Sequence, residues 1–174
     1  MRQFVVISAL ILLWTSAISA QNIAELSSPG HKISCYVQYV NNNLAGVLNL
    51  NGMNSEVVKL DFGLVTNIET IGKSSDVFIS SSTTEYNGVI TSNISERKNT
   101  VDRYTETILK FKSPKDISYN ITLRLYDEGV AVKYDISSST QVAVTSDRTS
   151  VDLSSYSPYS YKEAGYEKGY AYQS

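Results

Sequence analysis

The stretch that decides the fold is Arg124-Leu125-Tyr126-Asp127-Glu128-Gly129-Val130-Ala131-Val132-Lys133-Tyr134. Apolar and polar residues alternate on both sides of a short acidic turn that ends in glycine. Such alternation indicates a half-buried strand, and a short turn closed by glycine is typical of a β-hairpin. We therefore predict an antiparallel hairpin formed by residues 119–125 and 130–136.

The chain before this hairpin carries further strand patterns. Residues 32–40 alternate, which predicts a strand with one apolar face made of Ile33, Cys35, Val37 and Tyr39. Cys35 is then a core residue. Asn51-Gly52 is a strong turn signal between two apolar runs, residues 47–50 and 57–62, so this part of the chain predicts a meander.

The remaining strand signals are shorter. Residues 77–79 and 89–90 read as two separate strands because the polar stretch 80–87 lies between them. Residues 105–111 alternate again, and residues 141–145 form one more expected strand. No segment shows apolar residues at helical spacing over three turns. The sequence therefore predicts an all-β protein, an antiparallel β-sandwich.

The first twenty residues have the three-part pattern of a secretory signal peptide. A basic start at Arg2 precedes an apolar run and a small-residue exit that ends at Ala20. The apolar run has about eleven residues, fewer than the roughly 20 that span a bilayer. We expect cleavage after Ala20, a secreted or periplasmic product, no membrane association, and a sandwich domain over residues 21–155.

Residues 156–174 form a tyrosine-rich segment, with six of the thirteen tyrosines of the chain. Tyrosine rings pack on sugar faces, and the only tryptophan lies in the leader. The candidates for carbohydrate binding are therefore Tyr161, Tyr166 and Tyr170. Glu163 and Glu167 lie among them, and an acid beside aromatic rings suits sugar hydroxyls or a cation, although a disordered tail would have the same composition.

Composition excludes several functional classes. The chain has 15 basic and 17 acidic residues, and such a balance offers nothing to a nucleic-acid backbone. A single cysteine and a single histidine exclude an intramolecular disulfide and a two-histidine zinc site. His31 lies in a turn without a Gly-x-Ser-x-Gly motif anywhere in the chain, so we predict no catalytic residue there.

Paired carboxylates are the remaining candidates for chemistry, because two acids can hydrolyse a glycoside. Asp127 and Glu128 are adjacent in the hairpin turn and are explained by a solvated turn. Asp102 and Glu106 are four residues apart and could face one side of a strand, where cross-strand pairing with Arg103 or a lysine explains them equally well. We assign no catalytic residue to these pairs.

Two Asn-x-Ser/Thr sequons occur in the chain, at Asn93 and Asn120. They are glycosylation sites if the host is eukaryotic and have no meaning in a bacterial one.

The hairpin stretch closely resembles the Arg-Ala-Tyr-Asp-Asp-Gly-Val-Ala-Phe-Arg-Tyr segment of the N-terminal domain of glycoside hydrolase family 97, a family of α-glucosidases and α-galactosidases. Residues 28–33, Ser-Pro-Gly-His-Lys-Ile, are similar to its opening Ser-Pro-Asp-Gly-Lys-Leu, and Phe62-Gly63-Leu64 is similar to a later Leu-Gly-Leu. Residues 96–106 resemble its Gly-Glu-Arg and Val-Arg-Asp-His-Tyr-Asn-Glu run, with Arg103 and Thr105 in place of its histidine and asparagine. The order and spacing agree across residues 27–136.

The resemblance implies a β-supersandwich of the galactose-mutarotase-like kind, incomplete at its C-terminus and truncated before the catalytic (β/α)8 barrel. Such a domain is not an enzyme on its own. Residues 166–170 resemble the family's Tyr-Glu-x-x-Tyr segment, which makes Glu167 the candidate ligand of the family's calcium ion. One carboxylate cannot hold calcium, which takes about 6 to 8 oxygens. We expect no cofactor in isolation and calcium only in a full-length homologue.

Three functions remain open. The first is a barrel-supporting, non-catalytic domain whose partner is a catalytic barrel. The second is a stand-alone module that binds an α-glucoside or α-galactoside. The third is a structural secreted protein that shares only the fold, because a fold does not determine a function.

Overall fold

The computed structural model describes residues 22–51, 57–91, 99–152, 160–161 and 172–173. All regular structure in this part of the chain is β. The strands are β1 Asn22–Ser27, β2 Ile33–Val40, β3 Asn43–Leu50, β4 Val57–Asp61, β5 Leu64–Thr66, β6 Thr70–Ile71, β7 Val77–Thr91, β8 Asn99–Lys112, β9 Ser118–Leu125, β10 Val130–Ser137, β11 Val144–Asp147, β12 Ser150–Asp152, β13 Ser160–Tyr161 and β14 Tyr172–Gln173. No helix long and apolar enough to cross a bilayer occurs among these residues.

Two antiparallel sheets form the two main layers. The first has five strands in the order β1-β2-β3-β4-β12, and the second has four in the order β10-β9-β8-β7. A small sheet, β11-β5-β6, and the pair β13-β14 complete the described strands. The β2-β3-β4 meander and the β9-β10 hairpin are both confirmed, with Val130 opposite Leu125 at the turn.

A single hydrophobic core lies between the two main sheets. The alternating face of β2 supplies Ile33, Cys35 and Val37, all at most 6% exposed. The facing sheet supplies the inner positions of β8 and β9, Leu109, Phe111, Tyr119, Ile121, Leu123 and Leu125. The sandwich predicted from the sequence is therefore confirmed, and Cys35 is a core residue as expected. Burial raises the pKa of its thiol to about 12, so this cysteine is chemically inert.

The β7 strand corrects one prediction. Residues 77–79 and 89–90 are not separate strands, because one strand continues through the polar stretch between them and pairs with β8 along its length. Serine and threonine are compatible with extended backbone, and nothing requires an apolar pattern where both faces of β7 are exposed. The pairing with β8, and not hydrophobic alternation, holds this segment extended.

Short strands account for the other differences. The strand expected at residues 141–145 lies at β11 instead, and β1, β5, β6 and β12 carry no pattern that the sequence analysis recognised. β5, β6 and β12 have three, two and three residues, which is too short for periodicity to be visible, and the six residues of β1 do not alternate. Their positions depend on pairing with longer neighbours.

A buried carboxylate fixes the connection between β6 and β7. Asp76 is 4% exposed, and its Oδ2 accepts hydrogen bonds from the N–H groups of Gly72 (2.7 Å) and Lys73 (3.1 Å) and from the hydroxyl of Tyr119 (2.6 Å). The hydroxyl of Tyr39 donates to the carbonyl of Asp76 at 2.9 Å. These bonds tie the β6–β7 loop to strands of both main sheets.

Candidate functional site

Three of the stretches that carry the family resemblance meet at one corner of the sandwich. The turn between β1 and β2 contains Ser28 and Gly30, and the turn between β9 and β10 contains Asp127. The N–H of Gly30 donates to Asp127 Oδ1 at 2.7 Å, across 97 residues of sequence. A Cβ at position 30 would collide with the same carboxyl group, so a larger residue there would have to displace Asp127.

The third stretch reaches this corner from β8. Arg103 Nη2 donates to the carbonyl of Pro29 at 3.2 Å. The ring of Tyr104 contacts the ring of Tyr126, with centroids 5.3 Å apart. The residues that depart from the family pattern have structural roles here: Arg103 binds the turn, and Thr105 is buried at 5% exposure.

His31 stands where the family pattern has glycine, and its φ of 55° lies in the left-handed region that glycine favours. Its Nδ1 is 3.0 Å from Ser27 Oγ. In a catalytic triad the serine approaches the other ring nitrogen and Nδ1 faces the aspartate. The contact therefore closes the β1–β2 turn and does not have triad geometry.

Asp127 is held in its ionised form at this corner. The hydroxyl of Ser28, followed by the N–H of Gly30, lowers the pKa of the Asp127 carboxyl below its usual 3.8. The turn was expected to be merely solvated. The structure shows instead that Asp127 joins the two turns, a role that sequence spacing does not reveal because its partner is distant in the chain.

The second feature is a groove of about 350 Å³ on the outer face of the four-stranded sheet. Directly paired residues project to the same face of a sheet. Two such rungs form the groove, Glu106-Arg124-Ala131 and Ile108-Thr122-Lys133, and Asp135 borders it on β10. We call this feature the outer-face groove. Its volume lies at the lower end of the range of about 300–1,000 Å³ typical of small-ligand sites.

The charges of the outer-face groove neutralise one another. Arg124 Nε lies 2.6 Å from Glu106 Oε2, and Lys133 Nζ lies 2.7 Å from Asp135 Oδ1. The Glu106 carboxylate raises the pKa of Arg124 above its usual value. The two cations and two anions that line the groove thus form two pairs. Such a surface offers donors and acceptors without a net charge.

A row of tyrosines flanks the groove. Tyr86 and Tyr104 are cross-strand partners within β7 and β8, and Tyr126 directly follows β9. The ring centroids are 5.0 Å apart in the pair Tyr86–Tyr104 and 5.3 Å apart in the pair Tyr104–Tyr126. The guanidinium carbon of Arg124 lies 4.4 Å from the centroid of the Tyr104 ring. Tyr104 is buried by these contacts, whereas Tyr86 remains 45% exposed. We call these three residues the tyrosine row.

One of the two acid pairs shares a sheet face, as expected, although its members are about 13 Å apart along the strand. Asp102 and Glu106 have the same parity on β8 and project to the outer face. The cation that binds Glu106 is Arg124 on the neighbouring strand, and not Arg103 or a lysine. Asp127 and Glu128, in the hairpin turn, line a separate depression of about 300 Å³ with Val101, Arg103 and Tyr126.

The predicted tail residues are mostly outside the described part of the chain. Tyr166, Tyr170, Glu163 and Glu167 are not described, and of Tyr161 only the backbone is described, where β13 pairs it with Tyr172. Carbohydrate binding by Tyr161, Tyr166 and Tyr170 and calcium binding by Glu167 stay predictions. Within residues 22–51, 57–91 and 99–152, no three His, Cys, Asp or Glu side chains come together as metal ligands.

Only one of the two sequon asparagines lies in the described part of the chain. Asn93 lies outside the described residues. Asn120 is half-buried on the outer face of β9, where it is paired with Lys110 and Asp135. It therefore continues the row of outer-face positions next to the groove, two residues from Thr122.

The sequence analysis did not predict the outer-face groove, because the alternating run of β9 was used only to predict a strand. Thr122 and Arg124 are the polar positions of an alternating run, and such positions are ordinarily a solvated sheet face. The cross-strand register that assembles them with Glu106 and Lys133 cannot be read from one strand alone.

Comparison with known proteins places these features in a family. The family model described as Glycosyl-hydrolase 97 N-terminal matches residues 26–174. A search of curated proteins found no match.

Solved structures share the fold at low sequence identity. A glycoside hydrolase family 97 enzyme from Pseudoalteromonas sp., in separate complexes with panose and with acarbose, superposes with a TM-score of 0.63 at 16% identity. Each match covers 72% of this chain and 20% of the enzyme chain. A β-arabinopyranosidase gives a TM-score of 0.62 at 20% identity, with 73% of this chain and 20% of that chain covered.

This chain spans about a fifth of the length of those solved chains. The matched region includes the hairpin, the β1–β2 turn and β8, the three stretches that meet at the corner described above. The chain belongs to the glycoside hydrolase family 97 N-terminal domain family.

Proposed function

We propose that this protein is a non-catalytic, carbohydrate-associated β-sandwich, exported to the periplasm or the medium, and that it binds a neutral glycoside in the outer-face groove. The observation that carries the proposal is the groove lined by two closed ion pairs. A family 97 enzyme has been solved in complex with panose and with acarbose, which makes an α-glucoside the first ligand to test.

The chemistry of the groove suits a neutral polyol. Paired charges present planar guanidinium and carboxylate groups, which hydrogen-bond hydroxyls, and they leave no net charge to attract an ion. Ile108 and Ala131 supply apolar surface between them. The exposed ring of Tyr86 at the adjoining tyrosine row offers a face on which a sugar ring can pack.

The same geometry argues against hydrolysis in this groove. A glycosidase needs two carboxyl groups placed on either side of one bond, one of them free to act as an acid. Here Glu106 is bound by Arg124 and Asp135 by Lys133, so each carboxylate is engaged by a cation. The groove therefore fits binding, and hydrolysis in a family member would belong to another domain.

Affinity measurement on matched variants tests this proposal. We expect maltose to bind the wild-type protein with a dissociation constant in the millimolar range, since the site is open and small. Lys133→Met keeps the aliphatic stem of an exposed side chain but removes its charge, and it should weaken binding at least five-fold. Lys112→Met changes an ion-paired lysine of the same sheet outside the groove and should leave binding unchanged. Absence of binding at tens of millimolar maltose and galactoside would refute carbohydrate binding.

A barrel-supporting role is the second candidate function. It is favoured by the length of the solved relatives, of whose chains this domain matches only a fifth. Intact mass of the native product in its own host tests it, by detection with an antibody to residues 120–136. A product several-fold larger than 19.2 kDa would support a domain that works beside a catalytic barrel, with Glu167 then tested as a calcium ligand. A product of the size of this chain would contradict that role.

The tail tyrosines are a separate proposal within the same function. Alanine at Tyr161, Tyr166 or Tyr170 should weaken sugar binding without lowering the melting temperature if these rings contact the ligand. If the alanine variants bind like wild type, the tail has no part in recognition and the groove alone is responsible.

A further inference from the structure

Strand β7 is an unusually unprotected sheet edge. It is the terminal strand of its sheet, and within the described residues it pairs only with β8. Natural edge strands are usually short or carry lysine, proline or inward-pointing charges that prevent pairing with other chains. This one has 15 residues, neither lysine nor proline, and a single charged side chain, Glu85. Its one bulge lies near the start, between Phe78 and Ser80, so residues 80–91 form an uninterrupted edge.

Exposed apolar side chains are concentrated on this edge. Among the described residues, eight large hydrophobic side chains are exposed, and five of them belong to β7. A sixth, Val101, is directly opposite Val89 on β8. The five are Val77, Ile79, Tyr86, Val89 and Ile90, with exposures between 45% and 61%. Scattered exposed apolar residues are normal, but their collection along one open edge marks an interaction site.

The residue pattern of β7 is complementary to itself when reversed. Apolar residues lie at both ends, and hydroxyl-bearing residues 80–84 lie in the middle. If two copies pair antiparallel about Thr84, residues 80–88 of the two strands pair with one another, and the apolar end 89–90 of each strand lies beside the apolar end 77–79 of the other. Glu85 then lies opposite Thr83, so the only charges of the two strands do not oppose each other. Apolar cross-strand pairs stabilise a sheet, and like charges directly opposite would destabilise it.

The opposite edge of the same sheet, strand β10, carries more charged side chains than β7. Strand β10 carries Lys133 and Asp135, which are charged and exposed on the outer face. That edge has the protection that β7 lacks.

We propose that β7 is a homodimerisation edge, at which a second copy of this chain adds its own β7 in antiparallel orientation. The occupant is a second copy because the strand complements itself in polarity and charge. Pairing joins the two four-stranded sheets into one sheet of eight strands. A two-fold axis perpendicular to the sheet relates antiparallel edges, so both outer faces look the same way. Dimerisation through β7 does not require sugar binding.

Sedimentation equilibrium of the full secreted chain between about 1 and 100 μM tests the proposal. We expect a reversible monomer–dimer equilibrium. Val89→Lys places a charge on the edge at a side chain that is already 59% exposed, so the fold should persist, and it should raise the dimer dissociation constant at least ten-fold. Val144→Lys is the matched control, because Val144 is a 51% exposed valine on another edge strand, β11, and this change should have no effect.

Hydrogen exchange identifies the strand directly. Amides of residues 80–91 should become more protected as the protein concentration rises, and this gain should vanish in Val89→Lys. A wild-type protein that stays monomeric at 100 μM would overturn the proposal and leave the edge to a strand of another protein. So would a dimer that Val89→Lys leaves intact, since dimerisation would then use a different surface. Circular dichroism and melting temperature confirm that both variants are folded.

Discussion

Removing one hydroxyl at Tyr119 should destabilise the fold more than removing a similar hydroxyl elsewhere. Tyr119 is 2% exposed, and its Oη donates to the buried carboxylate of Asp76 at 2.6 Å. In Tyr119→Phe the ring remains stacked on Phe111, 5.3 Å away, so no large cavity forms. The change therefore removes the bond to the buried carboxylate together with the longer bond, 3.2 Å, that Oη accepts from the N–H of Gly72.

The magnitude follows from the charge on the acceptor. A hydrogen bond to a charged group contributes about 1.5–3 kcal/mol, against about 0.5–1.5 kcal/mol between neutral groups. For a protein of this size each kcal/mol lowers the melting temperature by roughly 2–4 °C. Tyr119→Phe should thus lower the melting temperature by roughly 3–12 °C.

Tyr134→Phe is the matched control. Tyr134 is also an inward-facing tyrosine of the second sheet, but its Oη contacts neutral partners, the N–H of Gly63 at 3.1 Å and Thr149 Oγ1 at 2.8 Å. Chemical denaturation of both variants at pH 7 gives the two free energies of unfolding. Equal losses, or a loss below about 1 kcal/mol for Tyr119→Phe, would refute the role given to the buried carboxylate.

Three further predictions concern the corner, the β6–β7 loop and the groove. The pKa of Asp127 is lowered in the folded state, so its charge contributes stability above pH 3.8 that is lost as the pH falls through the lower folded value. Asp127→Asn should therefore melt below wild type at pH 7, and the difference should disappear as the pH falls below that value. A difference that stays constant with pH would contradict this. Gly72 has a φ of 87°, and a Cβ there would lie 2.7 Å from the carbonyl oxygen of Phe62. Gly72→Ala should therefore lower the free energy of unfolding, measured with denaturant, by at least about 2 kcal/mol. An unchanged free energy of unfolding would show that the loop relaxes around the new methyl group. A glycan on Asn120 would cover the outer-face groove. Protein from a glycosylating host, with the glycan verified by intact mass, should therefore bind maltose only after enzymatic deglycosylation. Equal binding before and after deglycosylation would show that a glycan on Asn120 does not block the groove.

The sequence predicts what local patterns determine. The β9–β10 hairpin and the buried face of β2 follow from alternation and a glycine-closed turn, because one face of each strand is buried against the core. Strand β7 was interrupted in the prediction because neither of its faces is buried, so no hydrophobic period records its length. The short strands β5 and β6 depend on their neighbours and carry no signal of their own.

The contacts of the candidate site could not be predicted from the sequence, because they join residues that are far apart in the chain. Asp127 and Gly30 are 97 residues apart, and the ion pair between Glu106 and Arg124 spans two strands. Both contacts follow from cross-strand register and from the packing of turns, which a single sequence does not specify. The family resemblance identified the right stretches without revealing that they meet at one corner.

The most direct test of the central claim is a map of backbone amide shifts during a maltose titration of the 15N-labelled protein. Binding in the outer-face groove predicts saturable shifts at Ile108, Thr122, Arg124 and Lys133, with little change on the five-stranded sheet. Shifts confined to residues 156–174 would place recognition in the tyrosine-rich segment and contradict the groove. No shifts at tens of millimolar maltose or galactoside would contradict a carbohydrate-binding role for this domain altogether.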